Sequence, residues 1–252
     1  GLDKFAEQFK AYANEYVIIG GTATSLLLEE QGLSLMRVTK DIDMVVIVES
    51  LTEGFARAFW SFVKSGGYKV FERSDGAPQF FRFKNPIDTA YPYMIELFSR
   101  KQDSFTGDFN GTIIPLYISD DISSLSAILL NDEYYDFLTT GKTEVDGISL
   151  LKATHLIPFK AKAWLDLTFK KSNGQHVNSA DISKHQNDVF RLAQLLTGGE
   201  IIGLTELLIG DMRLFIEAME EKPIQLKDIG VRGDKSEILD LLRNIYLQEE
   251  RT

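Results

Sequence analysis

Apolar residues recur along the chain with two different periods, and the change falls near Leu150. In the first stretch, Phe5, Phe9 and Tyr12 within residues 3–14 stand at helical spacing and predict a short amphipathic helix lying on a sheet. Residues 16–19 form a short apolar strand that breaks on Gly20-Gly21, and a helix-compatible run follows over 22–30. A second strand carries Asp41 and Asp43 into the apolar run 44–48. Residues 51–65 read as a helix with Phe55, Phe59, Phe62 and Val63 as its buried stripe, stopped by Gly66-Gly67. Residues 68–73 and 79–84 read as a hairpin around Ser74-Asp75-Gly76, residues 85–92 as a loop, and residues 93–100 as a strand. Residues 111–119 read as a strand whose Pro115 marks an edge or bulge. Residues 120–133 then read as a short helix and loop, and 134–148 as a last hairpin. Beyond Leu150 the alternation stops, and helical periodicity predicts helices over 154–171, 181–196, 204–220 and 235–250. The expected fold is therefore α+β, a mixed β-sheet domain over 1–149 followed by a C-terminal helical domain over 150–252.

The sharpest chemistry lies in the second strand. Side chains two apart in a strand share a face, so Asp41 and Asp43 point together while Ile42 and Met44 point away. Two carboxylates on one face repel and are costly to desolvate, and a divalent cation relieves both penalties; solvated turn chemistry at a strand end is the plainer alternative for the same pair. Gly20-Gly21 after a strand reads either as a plain turn or as a place where backbone N–H groups, unhindered by side chains, come close to a phosphate at the N-terminus of the helix that follows. Thr22 or Ser25 either adds a hydroxyl to that phosphate or caps the helix. Glu96 is an acid inside an apolar run, sharing its face with Met94 and Phe98, and reads either as a third functional carboxylate or as an edge-strand glutamate. Within the helix over 154–171, Lys160 interrupts the inward stripe of Ile157, Trp164 and Leu167, either snorkelling or pointing into a cleft. Lys162 pairs outward with Asp166, and Lys184 with Asp188 has the spacing of a surface ion pair.

Strand, Gly-Gly, helix, then Arg37-x-Thr39-x-Asp41-x-Asp43 running into a strand resembles the polymerase-beta-like nucleotidyltransferase superfamily. The Arg-x-Thr-x-Asp-x-Asp form, with Lys160-x-x-Ala163 and Lys184-x-x-x-Asp188 following in order, is similar to its AbiEii-type branch, the nucleotidyltransferase toxins of abortive-infection and toxin–antitoxin systems. The resemblance spans roughly residues 15–196. It implies a nucleotidyltransferase core that moves a nucleoside monophosphate from an NTP to an acceptor hydroxyl or amine. Asp41, Asp43 and Glu96 would be the metal ligands for two Mg²⁺ ions. Catalysis would rest on Asp41, Asp43, Glu96, Lys160 and Asp188, with Glu96 as metal ligand or general base, Lys160 neutralising charge on the phosphates, and Asp188, with Lys184, orienting that lysine or the acceptor. Gly20, Gly21, Thr22, Arg37, Thr39 and Lys184 would bind the nucleotide. For Arg37 a salt bridge orienting an aspartate, and for Thr39 a hydrogen bond within the turn, are the plainer roles. The branch's usual arginine after the Lys-x-x-Ala helix has no counterpart here, since Lys170 or Lys171 stands in its place. The implied acceptor is RNA, including the tRNA acceptor end, or a protein side chain, and a toxin role would imply a cognate antitoxin.

Composition narrows the partners. The formal net charge of −10 argues against broad non-specific nucleic-acid binding, though a local basic rim from Arg73, Arg82, Lys84, Arg100 and Lys101 remains compatible with it. The same acidity suits a cationic small-molecule acceptor. With no cysteine, thiolate metal sites and disulfides are excluded, and His155, His176 and His185 lack zinc-ligand spacing. No apolar run reaches the roughly 20 residues of a membrane span, and no signal-peptide pattern opens the chain, so no membrane partner and a cytoplasmic location are expected. The rivals to a transferase of macromolecules are a non-catalytic nucleotide- or partner-binding module and a nucleotidyltransferase of the antibiotic-modifying type.

Overall fold

The computed structural model of the chain describes residues 1–33, 40–72, 78–100, 113–116 and 125–247. It divides into two compact units, Gly1–Ala23 with Val38–Leu151 and Thr24–Arg37 with Lys152–Thr252. In chain order the elements are α1 (Leu2–Phe9), β1 (Tyr16–Ile19), α2 (Gly20–Glu30), β2 (Asp41–Val46), α3 (Glu53–Gly66), β3 (Lys69–Glu72), β4 (Pro78–Lys84) and β5 (Met94–Ser99). There follow β6 (Ile113–Leu116), β7 (Leu125–Leu129), α4 (Asp132–Thr140), β8 (Lys142–Val145) and β9 (Ile148–Leu151). The helical remainder is α5 (Ala153–Ser172), α6 (Ser179–Ala193), α7 (Glu206–Glu221) and α8 (Lys235–Tyr246).

The sheet runs β3-β4-β5-β2-β1-β9-β8, with β7 also paired to β5 and β6 to β7. β2 is parallel to β5 and antiparallel to β1, and β1 is parallel to β9, so the sheet is mixed and the fold α+β. One face is a dry aromatic layer. Tyr16, Ile18, Ile42, Met44, Phe83, Ile95 and Leu97 point from the strands toward Phe5 and Phe9 of α1 and Phe55, Phe59 and Phe62 of α3, all of them buried. The rings meet edge-on and tilted, with Phe5 and Tyr16 centroids 5.5 Å apart and Phe59 and Phe83 5.3 Å apart. Each such side chain contributes about 1.5–3 kcal/mol on burial, which fixes which face of β2 looks away from the core.

Helix α3 starts where Thr52 accepts from the Phe55 N–H, while buried Glu15 accepts from both the N–H and the hydroxyl of Thr52 at 2.8 and 2.9 Å. It ends on Gly67 at φ +63°, the left-handed cap that the glycine pair predicts.

Two sequence expectations fail here. Residues 125–129, read as part of a helix and loop, form β7, because the parallel edge of β5 at Phe98 and Ser99 offers them a partner. Tyr134–Thr140, read as a strand, belongs to α4. Asn131 caps it by accepting from the Glu133 N–H, Asp132 and Glu133 sit in its first turn, and Tyr134, Phe137 and Leu138 make its inward stripe. The hairpin comes later, as β8 and β9 around Asp146-Gly147, whose φ values of +51° and +76° suit a tight turn between twisted strands.

In the helical unit α5 packs against α6 and α7. Pro158 lies inside α5 and has no N–H to give to the carbonyl of Thr154. That carbonyl instead accepts from the hydroxyl of Tyr246 in α8 at 2.7 Å, and burial pushes the Tyr246 phenol well up from its ordinary pKa. The proline's lost hydrogen bond is thus made by a side chain 92 residues away in sequence. Tyr246→Phe is expected to lower unfolding free energy by about 1 kcal/mol in urea titrations, since it leaves the part-buried Thr154 carbonyl without this partner. An unchanged midpoint would mean that water satisfies that carbonyl instead.

Candidate functional site

The acids lie on the face of the sheet opposite the aromatic layer. Asp41 and Asp43 are half-buried there, alternating with buried Ile42 and Met44 as the period-two reading expects. Across the parallel pair, Asp43 stands in register with Glu96, and on the antiparallel side it faces Ile19. Asp43 and Glu96 are therefore nearest neighbours on adjacent strands, with Asp41 two residues along the same face.

Gly20 shapes this corner. It sits at φ +73°, where β1 turns directly into α2, and a carbon attached there would stand 2.8 Å from Cγ and 3.0 Å from Cβ of Asp43, overlapping its carboxylate. The first glycine of the pair is needed twice, for its dihedral and for the room it leaves. Buried Thr22 donates its hydroxyl to the carbonyl of Asp41. The first turn of α2 is thereby tied to the start of β2, and the hydroxyl's one proton is already engaged. Ser25 is buried as well.

Glu96 is only 8% exposed, and its charge is met by Arg82, the residue directly across the antiparallel β4–β5 pair, which donates from Nε at 3.0 Å and from Nη2. The sequence reading missed this partner, placing Arg82 in a basic rim. Arg100 leaves that rim too, paired with Glu49 at 3.1 Å and Asp136 at 3.0 Å. Arg73 and Lys101 lie outside the described residues. Arginine two positions before a strand's end was visible in sequence, but only the register of β4 on β5 brings it to Glu96. Among the described residues no group of three or more His, Asp or Glu gathers at metal-binding spacing. Two aspartates two residues apart on one face still match a magnesium site, which takes one or two carboxylates and fills the rest of its octahedron with water and phosphate.

Arg37 and Thr39 lie outside the described residues. Lys160, Lys184 and Asp188 belong to the helical unit. Lys160 of α5 is 2% exposed and donates to Asp188 of α6 at 2.6 Å, and Asp188 also holds Arg191 at 3.3 Å. Asp188 is thus turned inward to Lys160 and Arg191 rather than to Lys184: the surface pair does not form, while the contact with Lys160 that the resemblance implied does. The pattern identified both helices, but residues four apart on one helix lose to a buried partner on the next. Lys162 does pair with Asp166 at 3.3 Å, and also with Asp211 at 3.5 Å; these two carboxylates hold its ammonium above the ordinary lysine pKa against a desolvation penalty that acts the other way.

No family model matches the chain, and no curated protein matches it. Among solved structures it is similar to an antigenic nucleotidyltransferase-like protein from Paracoccidioides brasiliensis, at 14% identity and a TM-score of 0.45, covering 96% of this chain and 89% of that one. A likeness so slight carries no argument about this chain. The class that the structure itself defines is an α+β protein whose mixed sheet bears a carboxylate-lined face beside a glycine-led helix, with a helical C-terminal unit. No helix among the described residues is long and apolar enough to cross a membrane.

Gly20→Ala is expected to cost about 2 kcal/mol of unfolding free energy, and adding Asp43→Ala should recover part of it, since the overlap with the carboxylate is then gone and the dihedral strain of about 1 kcal/mol and the 3.0 Å approach to Cβ of residue 43 remain. Strictly additive losses in a double-mutant cycle would show that Asp43 does not need the space at Gly20. Asp188→Ala should destabilise the protein by about 3–5 kcal/mol, and Lys160→Met with Asp188→Leu by clearly less, as when a buried pair is replaced whole. Equal losses from the single and double changes in urea would rule out that account.

Proposed function

We propose that this chain is a metal-dependent nucleotidyltransferase of the AbiEii type, passing a nucleoside monophosphate from an NTP to an acceptor hydroxyl or amine. The observation that carries the reading is the corner where Gly20, at positive φ, makes room for the carboxylate of Asp43, with Asp41 on the same face and Glu96 in register alongside. That corner combines the three features that metal-assisted phosphoryl chemistry requires: paired hard oxygen ligands, close backbone approach, and a helix start that favours phosphate.

Asp41 and Asp43 would hold Mg²⁺, which supplies charge neutralisation on the triphosphate and a lowered pKa at the acceptor oxygen. Gly20 and Gly21 let the phosphates come down onto the backbone at the start of α2. Thr22 keeps that turn fixed to the carbonyl of Asp41. Glu96, oriented by Arg82, stands next to Asp43 as the group to take the acceptor's proton. The acceptor under this reading is RNA or a protein side chain, and a toxin role with a cognate antitoxin follows only from the resemblance.

One observation favours a second reading, a module that binds nucleotide without transferring it. The charge of Glu96 is already met by Arg82, and no third acid joins the pair among the described residues.

Isothermal titration of each NTP with Mg²⁺ into the native protein and into Asp43→Ala separates these readings. Transfer chemistry predicts that one NTP binds only with Mg²⁺ and that binding falls at least tenfold in the variant. Nucleotide binding indifferent to both metal and Asp43 would move the assignment to the binding module. Absence of binding by every NTP would end both readings.

A further inference from the structure

The sheet unit contains a cavity of about 580 Å³ at the end of the strands where β2 and β5 begin, lined by Thr22, Lys40, Ile42, Asn85, Tyr91 and Tyr93 among others. Ile42 belongs to the aromatic side of the sheet, so the cavity is distinct from the carboxylate face, although Thr22 links the two by its bond to the carbonyl of Asp41.

Its walls are held by the fold. The Tyr91 ring packs 4.7 Å from Phe62 and 6.2 Å from Tyr68, and the Tyr68 hydroxyl donates to the carbonyl of Pro92. The Tyr93 N–H donates to the carbonyl of Lys40 at 2.8 Å, and the Asn85 N–H to the carbonyl of Tyr93 at 3.1 Å. Asn85 itself sits at φ +53°, a conformation that few residues other than glycine adopt and that fixes the turn at the cavity's edge. Against this rigid backbone, two groups remain uncommitted. Tyr93 is 52% exposed with no ring partner, and Lys40 is exposed with no ion-pair partner, both among the described residues. An aromatic plate, a cation just before the start of the neighbouring strand, and amide and hydroxyl groups from Asn85 and Thr89 match one ligand chemistry closely. A planar base stacks on the ring, its edge meets the amide, and its phosphate meets the lysine. Asp3, also on the wall, can accept from an exocyclic amino group. The volume falls within the range of small-ligand sites and suits one nucleotide rather than a helix of nucleic acid.

We infer that this cavity is a second, metal-independent site for a single nucleoside monophosphate unit, stacked on Tyr93 with its phosphate at Lys40. The unit is either a free mononucleotide or the terminal nucleotide of a single strand. Its use as the seat of the acceptor rests on the transfer reading above, but its existence does not.

The test is titration of AMP, GMP, CMP and UMP, and of 5′-phosphorylated single-stranded hexanucleotides, into the native protein in EDTA. At least one of these ligands should bind, with affinity lowered about tenfold or more by Tyr93→Ala and by Lys40→Met. Both side chains are surface groups, and unchanged urea midpoints will confirm that the variants fold. A hexanucleotide that binds well above its mononucleotide identifies a strand end, and equal affinities identify a free mononucleotide. Asp43→Ala should keep this binding, whereas Tyr93→Ala should keep the Mg²⁺-dependent binding of NTP, so each site can fail without the other. No binding of any ligand in EDTA, or binding that neither pocket substitution weakens, would overturn the inference.

Discussion

The sheet unit depends on the close approach of Gly20 and Asp43. Here the strand turns straight into a helix at a residue held at positive φ, and that residue also lies against an acid on the neighbouring strand. Any side chain at position 20 would push the Asp43 carboxylate out of the line it keeps with Asp41 and Glu96. The hydroxyl of Thr22 then fastens the new helix to the carbonyl of Asp41, so that helix start and acid strand act as one piece. The aromatic layer of α1 and α3 supplies the opposing constraint. By burying Ile42, Met44, Ile95 and Leu97 on one side, it commits the charged residues between them to the other.

Placing carboxylates side by side on a sheet raises an electrostatic cost, and the protein meets it with its own cation at Glu96. Arg82 neutralises the most buried of the three, leaving Asp41 and Asp43 as the half-buried pair. This changes the meaning of the site. Three mutually repelling acids would call for metal merely to be tolerated, whereas beside a settled Glu96–Arg82 contact the transferase proposal needs a cation only at the aspartates, with the glutamate as its proton acceptor. The same contact is what a binding module without chemistry would keep, which is why metal dependence is the property that separates the two.

The helical unit shows the same economy with awkward groups. Pro158 deletes a hydrogen bond inside α5, and Tyr246 restores it from α8. Lys160 sits on an inward stripe, and Asp188 comes from α6 to meet it, with Arg191 on the carboxylate's other oxygen. Each irregularity in one helix is thus answered by a residue on another, which ties together helices whose own propensities would not specify their order.

Much of this was legible in the residues alone. Period-two alternation ending near Leu150 marked the sheet and the helices after it, the glycine pair marked the strand-to-helix turn, and the spacing of Asp41 and Asp43 put them on one face, because these are properties of backbone geometry within a few residues. Strand β7 was misread for the converse reason, because a short apolar run takes whichever form its neighbours offer and β5 offered an edge, whereas helix α4 carried local signals, the Asn131 cap and the first-turn acids, that a hairpin reading passed over. The partner of Glu96 lay beyond sequence reasoning as well, whereas the resemblance had already implied Asp188 as a residue that orients Lys160. Arg82 reaches Glu96 only through the register of two antiparallel strands, and Lys160 reaches Asp188 only through the packing of two helices. The amino-acid sequence determined which residues carry charge into apolar surroundings; the tertiary structure decided which opposite charge each one meets, because that choice depends on distances set by packing rather than on spacing along the chain.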